Sequence, residues 1–152
     1  MKVVIVGPGA MGSLFAAHLA KNNNVNVVLF DKSGERADIL NHRGISVEGV
    51  SGKWQVKVPV EVDLKAFEGS ELIIICVKSY DTKSAINRIK DAIPKDCPVL
   101  TLQNGVGNIE NISEILGQER VLGGVTNQGA TLLEPGRIRH AGRGETIIGR
   151  ID

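Results

Sequence analysis

The sequence is short of cysteine, of long apolar runs and of any excess of charge of one sign. Two cysteines in 152 residues, Cys76 and Cys97, cannot build a disulfide framework, so a reduced, cytoplasmic protein is expected. No apolar run approaches the ~18–20 residues of a membrane-spanning helix. The first residues lack the charged segment and small-residue cleavage site of a signal peptide. Eighteen lysines and arginines against seventeen aspartates and glutamates leave a net charge of +1. That balance lacks the positive excess needed for non-specific attraction to nucleic acid or an anionic membrane, and neither partner is expected. His42 and His140 have no acidic or cysteine partner at metal-ligand spacing, and no metal site is expected. Apolar residues at 42% and charged residues at 23% fit one globular domain rather than a disordered or fibrous chain. Glycine is plentiful instead, with 18 residues where the usual ~7% would give fewer, and its positions organise the rest of the reading.

The chain opens as strand, tight turn, helix. Lys2 to Val6 is short, β-branched and apolar on both faces, the pattern of a buried parallel strand. Gly7-Pro8-Gly9-Ala10-Met11-Gly12 follows, and Met11, Leu14, Phe15 and Leu19 then recur at helical spacing through Lys21. Asn22-Asn23-Asn24 is expected to stop this helix through the left-handed conformation that asparagine tolerates. A second strand runs from Val25 to Phe30, and a helix from Gly34 to Arg43 ends at Gly44. Between Ile45 and Val60, apolar and polar residues alternate around Gly49 and Gly52, predicting an inserted β-hairpin with one wet face. Further strands are predicted at Leu72–Val77, Val99–Leu102 and Val121–Val125. Helices are predicted at Asp81–Ile93, closed by Pro94, and at Asn108–Leu116. Gly136 to Asp152 reads as strand, glycine-rich turn around Ala141 to Gly144, and strand. The pattern specifies an α/β fold: a Rossmann-like, doubly wound, mostly parallel sheet with helices on both faces and an inserted hairpin, all within one domain spanning 1–152.

Gly7-x-Gly9-x-x-Gly12 follows a strand and opens a helix, the context in which this spacing cradles a dinucleotide. Gly7 permits the sharp exit from the strand. Gly9 lacks a side chain that would block a diphosphate, and Gly12 lets helix and sheet approach. The diphosphate would rest on free N–H groups at the positive end of the helix. Asp31 lies 19 residues beyond Gly12 at the end of the second strand, where a carboxylate accepts hydrogen bonds from the adenosine ribose and repels a 2′-phosphate. NADH is therefore expected to bind more tightly than NADPH. Lys32 and Arg36 stand close enough in sequence to offset an extra phosphate.

Two further segments leave central strands: Val77-Lys78-Ser79-Tyr80-Asp81-Thr82 and Leu102-Gln103-Asn104-Gly105-Val106-Gly107-Asn108. With the glycine fingerprint, Gly129-Ala130-Thr131 and the turn Pro135-Gly136-Arg137-Ile138, they resemble the ketopantoate reductase (2-dehydropantoate 2-reductase) family from Met1 to about Gly149. The resemblance implies an NADPH-using reductase of ketopantoate on the route to pantothenate, a small 2-oxo acid as partner, and a possible homodimer. It implies cofactor contacts from Gly7, Pro8, Gly9, Ala10, Met11 and Gly12, from Lys78 near the nicotinamide end, and from Ala130 lining the pocket. Asn104 would touch cofactor and substrate as the catalytic-site residue of this half. The general-acid lysine lies in a C-terminal helical domain that these 152 residues do not include. Asp31 departs from the basic residue usual in NADPH-using members. The competing readings are another two-domain hydroxyacid dehydrogenase and a nucleotide-sensing regulatory domain; Lys78 and Asn104 at adjacent strand ends separate the enzyme from the sensor.

The remaining conspicuous residues read as structural. His18 falls on the first helix's apolar stripe as a partly buried residue. Cys76 is an inert core thiol, Cys97 an exposed turn residue before Pro98. Arg137, Arg139, His140, Arg143 and Arg150 decorate a solvated hairpin, and Trp54 anchors the inserted hairpin on the domain.

Overall fold

A computed structural model describes residues 1–152. Eleven strands and four α-helices follow in chain order: β1 (Lys2–Val6), α1 (Ala10–Ala20), β2 (Asn26–Phe30), α2 (Gly34–Arg43), β3 (Ile45–Gly49), β4 (Trp54–Val56), β5 (Val60–Glu61), β6 (Leu72–Ile75), α3 (Thr82–Ile89), β7 (Val99–Thr101), α4 (Asn108–Leu116), β8 (Val121–Thr126), β9 (Gly129–Glu134), β10 (Arg137–Gly142) and β11 (Thr146–Arg150). The main sheet has the order β11-β8-β7-β6-β1-β2-β5. All its pairings are parallel except that of β11 with β8.

Strands apolar on both faces need cover on both, and the core accordingly has two halves. Val3 and Ile5 face α1 and α2 with Leu14, Ala17, Leu29 and Leu40. Val4 and Val6 face the other way, onto Phe67, Ile86, Ile89 and Ile112 of the α3–α4 side. The strand order reverses between β1 and β6. Consecutive βα units therefore depart in opposite directions and leave a crevice at the carboxyl ends of those two strands. Gly7 sits there, tied to β2 through its N–H on the Phe30 carbonyl (3.1 Å).

The structure corrects several details. β3 and β4 do form the expected antiparallel hairpin, but they belong to a separate four-stranded sheet, β4-β3-β10-β9. β3 pairs in parallel with β10, about ninety residues further along the chain. β10 and β11 do not pair with each other as a terminal hairpin. β10 turns back on β9 across Pro135-Gly136, with Gly136 at φ 79°, while β11 crosses to β8 in the main sheet. α3 ends at Ile89, four residues short of the predicted Ile93, and the chain leaves it through a tight turn in which the Ala92 N–H donates to the Ile89 carbonyl at 2.9 Å. No asparagine after α1 is left-handed. The chain reverses instead through an Asx turn, Asn24 N–H donating to Asn22 Oδ1 at 3.0 Å. Cys97 is buried, with its thiol 3.7 Å from Ser70 Oγ.

Candidate functional site

The Gly7–Gly12 turn is built around backbone proximity. Gly7 has φ 102°, and a Cβ there would press on the Val77 amide at 3.0 Å. A Cβ at Gly12 would overlap the Gly7 carbonyl oxygen and meet Cys76 Cβ at 3.2 Å, so only glycine lets α1 lie this close to the β1 and β6 ends. Gly9 is the opposite case. Its backbone is extended, and nothing lies within 4 Å of where its Cβ would project. α1 has no side-chain cap on its first turn and no acidic residue within it, so its leading N–H groups face that open side without protein partners. Buried Ser13 fastens the turn from behind through Oγ on the Pro8 carbonyl (3.2 Å). The turn thus presents free backbone N–H groups of the α1 N-terminus beside an open Gly9, an arrangement chemically suited to an anion. Beneath it, burial pushes the Cys76 thiol up to about 12, in keeping with an inert role.

Asp31 ends β2 beside this turn and is only 2% exposed. Arg36, from the first turn of α2, donates Nε to Oδ2 (2.6 Å) and Nη2 to Oδ1 (2.5 Å), and the Ser33 N–H adds a bond to Oδ1 (3.1 Å). Ser33 Oγ in turn accepts from the Arg36 N–H and caps α2. The hydrogen bond to Asp31 raises the proton affinity of the Arg36 guanidinium. Lys32 is exposed and unbonded.

Lys78 and Asn104 leave β6 and β7 on adjacent loops, and both side chains are exposed and free of hydrogen bonds. A polar network holds their backbones together. Ser79 Oγ donates to the Asn104 carbonyl at 2.6 Å, and buried Asn108 reaches the same carbonyl through Nδ2 at 3.1 Å. Thr82 Oγ1 donates to Asn108 Oδ1 (2.9 Å), and Gln103 Nε2 reaches Thr82 Oγ1 (3.0 Å) and the Val77 carbonyl (2.5 Å). In the sequence Gln103, Thr82 and Asn108 stand within the two strand-leaving segments with no role of their own. Their part in locking two loops depends on β6 and β7 being neighbours, which no local pattern reveals. Asn108→Ala strips the bond from Thr82 and leaves the Asn104 carbonyl with Ser79 alone. A loss of about 2–3 kcal/mol in a urea titration is the expected outcome.

Ala130 lies on β9, opposite His140 of β10, and packs with the core on the α1 side. The structure therefore sets it on the second sheet beside α1. The same side holds an aromatic cluster outside the predicted set. His18, more exposed than expected but with one ring face covered, stands edge-on to Trp54 (5.1 Å between centroids) and to His140 (5.4 Å). Lys21 Nζ lies 3.4 Å over the Trp54 ring, which anchors the hairpin as expected. Partial burial, helped by His140, Lys21 and Arg143, holds His18 below the usual histidine range. His140 is itself buried between Ser51 Oγ (2.9 Å) and Gln128 Oε1 (2.8 Å) and so belongs to the fabric of the domain, not to a solvated hairpin. No three His, Cys, Asp or Glu side chains gather where they could hold a metal ion, and no helix is long and apolar enough to cross a membrane.

Comparison with known proteins converges on one family. The family model described as "Ketopantoate reductase PanE/ApbA" matches residues 3–152. The 2-dehydropantoate 2-reductase of Halobacterium salinarum is 40% identical over 154 residues, covering 99% of this chain and 49% of its own length. That of Pyrococcus horikoshii is 40% identical over 149 residues, covering 98% and 47%. Among solved structures, a PanE/ApbA family ketopantoate reductase from Ralstonia eutropha superposes with a TM-score of 0.88 at 36% identity, over 97% of this chain and 49% of the other. D-Mandelate dehydrogenase, solved with NADH and anilino(oxo)acetate, superposes with a TM-score of 0.88 at 27% identity, over 100% and 49%. The chain spans about half the length of the curated relatives it matches. The family model spans nearly the whole chain and the curated relatives are 40% identical across it: the chain belongs to the ketopantoate reductase family.

Proposed function

We propose that this chain is the dinucleotide-binding half of an NAD(P)H-dependent reductase that converts 2-dehydropantoate to pantoate, a cytoplasmic step toward pantothenate. The observation that carries the reading is the uncapped α1 N-terminus above open Gly9, flanked by the tied loops of Lys78 and Asn104. Residues 7–12 hold the diphosphate through backbone N–H groups and the helix dipole, and Ala130 lines the cofactor pocket. When bound, a reduced nicotinamide supplies the hydride that the C2 carbonyl of a 2-oxo acid accepts. The Lys78 ammonium offers donors to ribose or carboxylate oxygens. The Asn104 amide, able to donate and accept, aligns the carbonyl without adding charge. By family resemblance, the proton for the alkoxide comes from a lysine in a C-terminal helical domain outside these residues.

Asp31 favours NADH over NADPH in this reading, and the structural neighbour D-mandelate dehydrogenase was solved with NADH and a 2-oxo acid analogue. The test is ketopantoate-dependent NADH oxidation by this chain joined to the second half its relatives possess. Asn104→Ala should lower kcat by about ten- to hundredfold. Its melting temperature should not move, since the side chain bonds nothing. Wild-type kinetics in that variant, or no oxidation by the unaltered protein, would overturn the assignment.

A further inference from the structure

The side chains that tie the Lys78 and Asn104 loops together form one directed relay rather than a set of separate bonds. Its proton directions follow from the groups themselves, since an amide nitrogen only donates and an amide oxygen only accepts. Thr101 Oγ1 donates to Gln103 Oε1 (2.9 Å), which leaves Gln103 Nε2 as the donor to the Val77 carbonyl and to Thr82 Oγ1. The Thr82 hydroxyl accepts there and gives its own proton to Asn108 Oδ1, so Asn108 Nδ2 faces the mouth of the loops. That nitrogen donates to Ser79 Oγ (3.2 Å) and to the Asn104 carbonyl (3.1 Å). The Ser79 hydroxyl gives its proton to the same carbonyl at 2.6 Å. The relay starts on the peptide that leads into Lys78 and ends on the peptide that follows Asn104. Thr82 and Asn108 are buried within it, and Ser79 is its exposed end. Two donors hold the Asn104 carbonyl, and left-handed Gly105 and Gly107 (φ 97° and 90°) shape the turn beyond.

We propose that Ser79 is a positioning residue for the reduction, acting through Asn104. Its hydroxyl sets the direction in which the Asn104 side chain leaves the backbone, and with it the gap between the Asn104 amide and the Lys78 ammonium. The proposal rests on the reductase reading above. The exposed Asn104 side chain bonds no other group, so its aim depends on how its backbone is held. Removing the Ser79 hydroxyl leaves the carbonyl to Asn108 alone and lets the 104–105 peptide tilt. Misplacing a reacting group by about 1 Å costs about a hundredfold in rate, and loosening one of two tethers costs part of that. Asn108 acts on the same carbonyl, but its burial mixes aim with stability, whereas Ser79 separates the two.

The test is a double-mutant cycle in this chain joined to the second half its relatives possess, followed by ketopantoate-dependent NADH oxidation and by melting temperature. Ser79→Ala should lower kcat about tenfold and leave the KM for ketopantoate within about twofold. Its melting temperature should shift by less than about 2 °C, because the side chain lost is an exposed one. Ser79→Thr keeps the hydroxyl and should recover about half or more of the original kcat. In an Asn104→Ala background, Ser79→Ala should lower kcat by less than about twofold, because the group it aims is gone. A serine with a merely structural role would cost the same factor in both backgrounds, and that result overturns the proposal. So does an unchanged kcat in Ser79→Ala, or a threonine variant no better than the alanine one. Unaltered kinetics in Asn104→Ala with Ser79 intact overturns the reading of Asn104 itself, and the proposal with it.

Discussion

Gly9→Asp should abolish dinucleotide binding while leaving the fold as stable as before, or slightly more so. The backbone at Gly9 is already extended (φ −75°, ψ −164°), so a side chain fits without strain, and its Cβ would meet nothing within 4 Å. Aspartate is a better helix N-cap than glycine by a few tenths of a kcal/mol, and α1 has no side-chain cap of its own. The carboxylate would sit where the diphosphate must rest. At ~4 Å and an effective dielectric constant of ~20, each like-charge contact costs about 4 kcal/mol. Affinity should therefore fall at least hundredfold. A melting curve and a titration on the same sample check both halves of the prediction, and they should move in opposite directions or not together.

Gly12→Ala, three residues away, should fail by the other route. Its Cβ would overlap the Gly7 carbonyl, a backbone atom that cannot rotate aside. α1 must then lift from β1, opening the contacts of Leu14 and Ala17 with the core. Overpacking of this kind costs about 3 kcal/mol. In a chain of this size the melting temperature should drop by about 6–12 °C. Binding weakens too, as a consequence of the moved helix. If Gly12→Ala melts like the unaltered chain, the close approach of α1 to the strands is not what this glycine secures.

These two positions also show what could be read without the structure. The roles of Gly9 and Gly12 follow from their spacing after a buried strand, because strand exit, ligand approach and helix packing recur in that order in every such turn. β1, β2 and β6 were equally legible, since a strand covered on both faces is apolar almost throughout. The second sheet was not. Alternation along Ile45–Val60 reports that one side is wet, but not that its partner is β10, about ninety residues away. The glycines near 142–144 suggested a hairpin, whereas Gln128 and Asn127 bind the 144–145 backbone and send β11 to β8. The inter-loop bonds of Gln103, Thr82 and Asn108 depend on strand adjacency, and adjacency is a property of the sheet. Asp31 was legible by position, but its cover by Arg36 needed the α2 turn to be seen in three dimensions.

Dinucleotide binding at the glycine turn is measured most directly by a calorimetric titration of the 152-residue chain with NADH. Saturable binding of one dinucleotide per chain, lost in Gly9→Asp at an unchanged melting temperature, is the predicted result. No saturable binding by the unaltered chain, or full binding by Gly9→Asp, would contradict it.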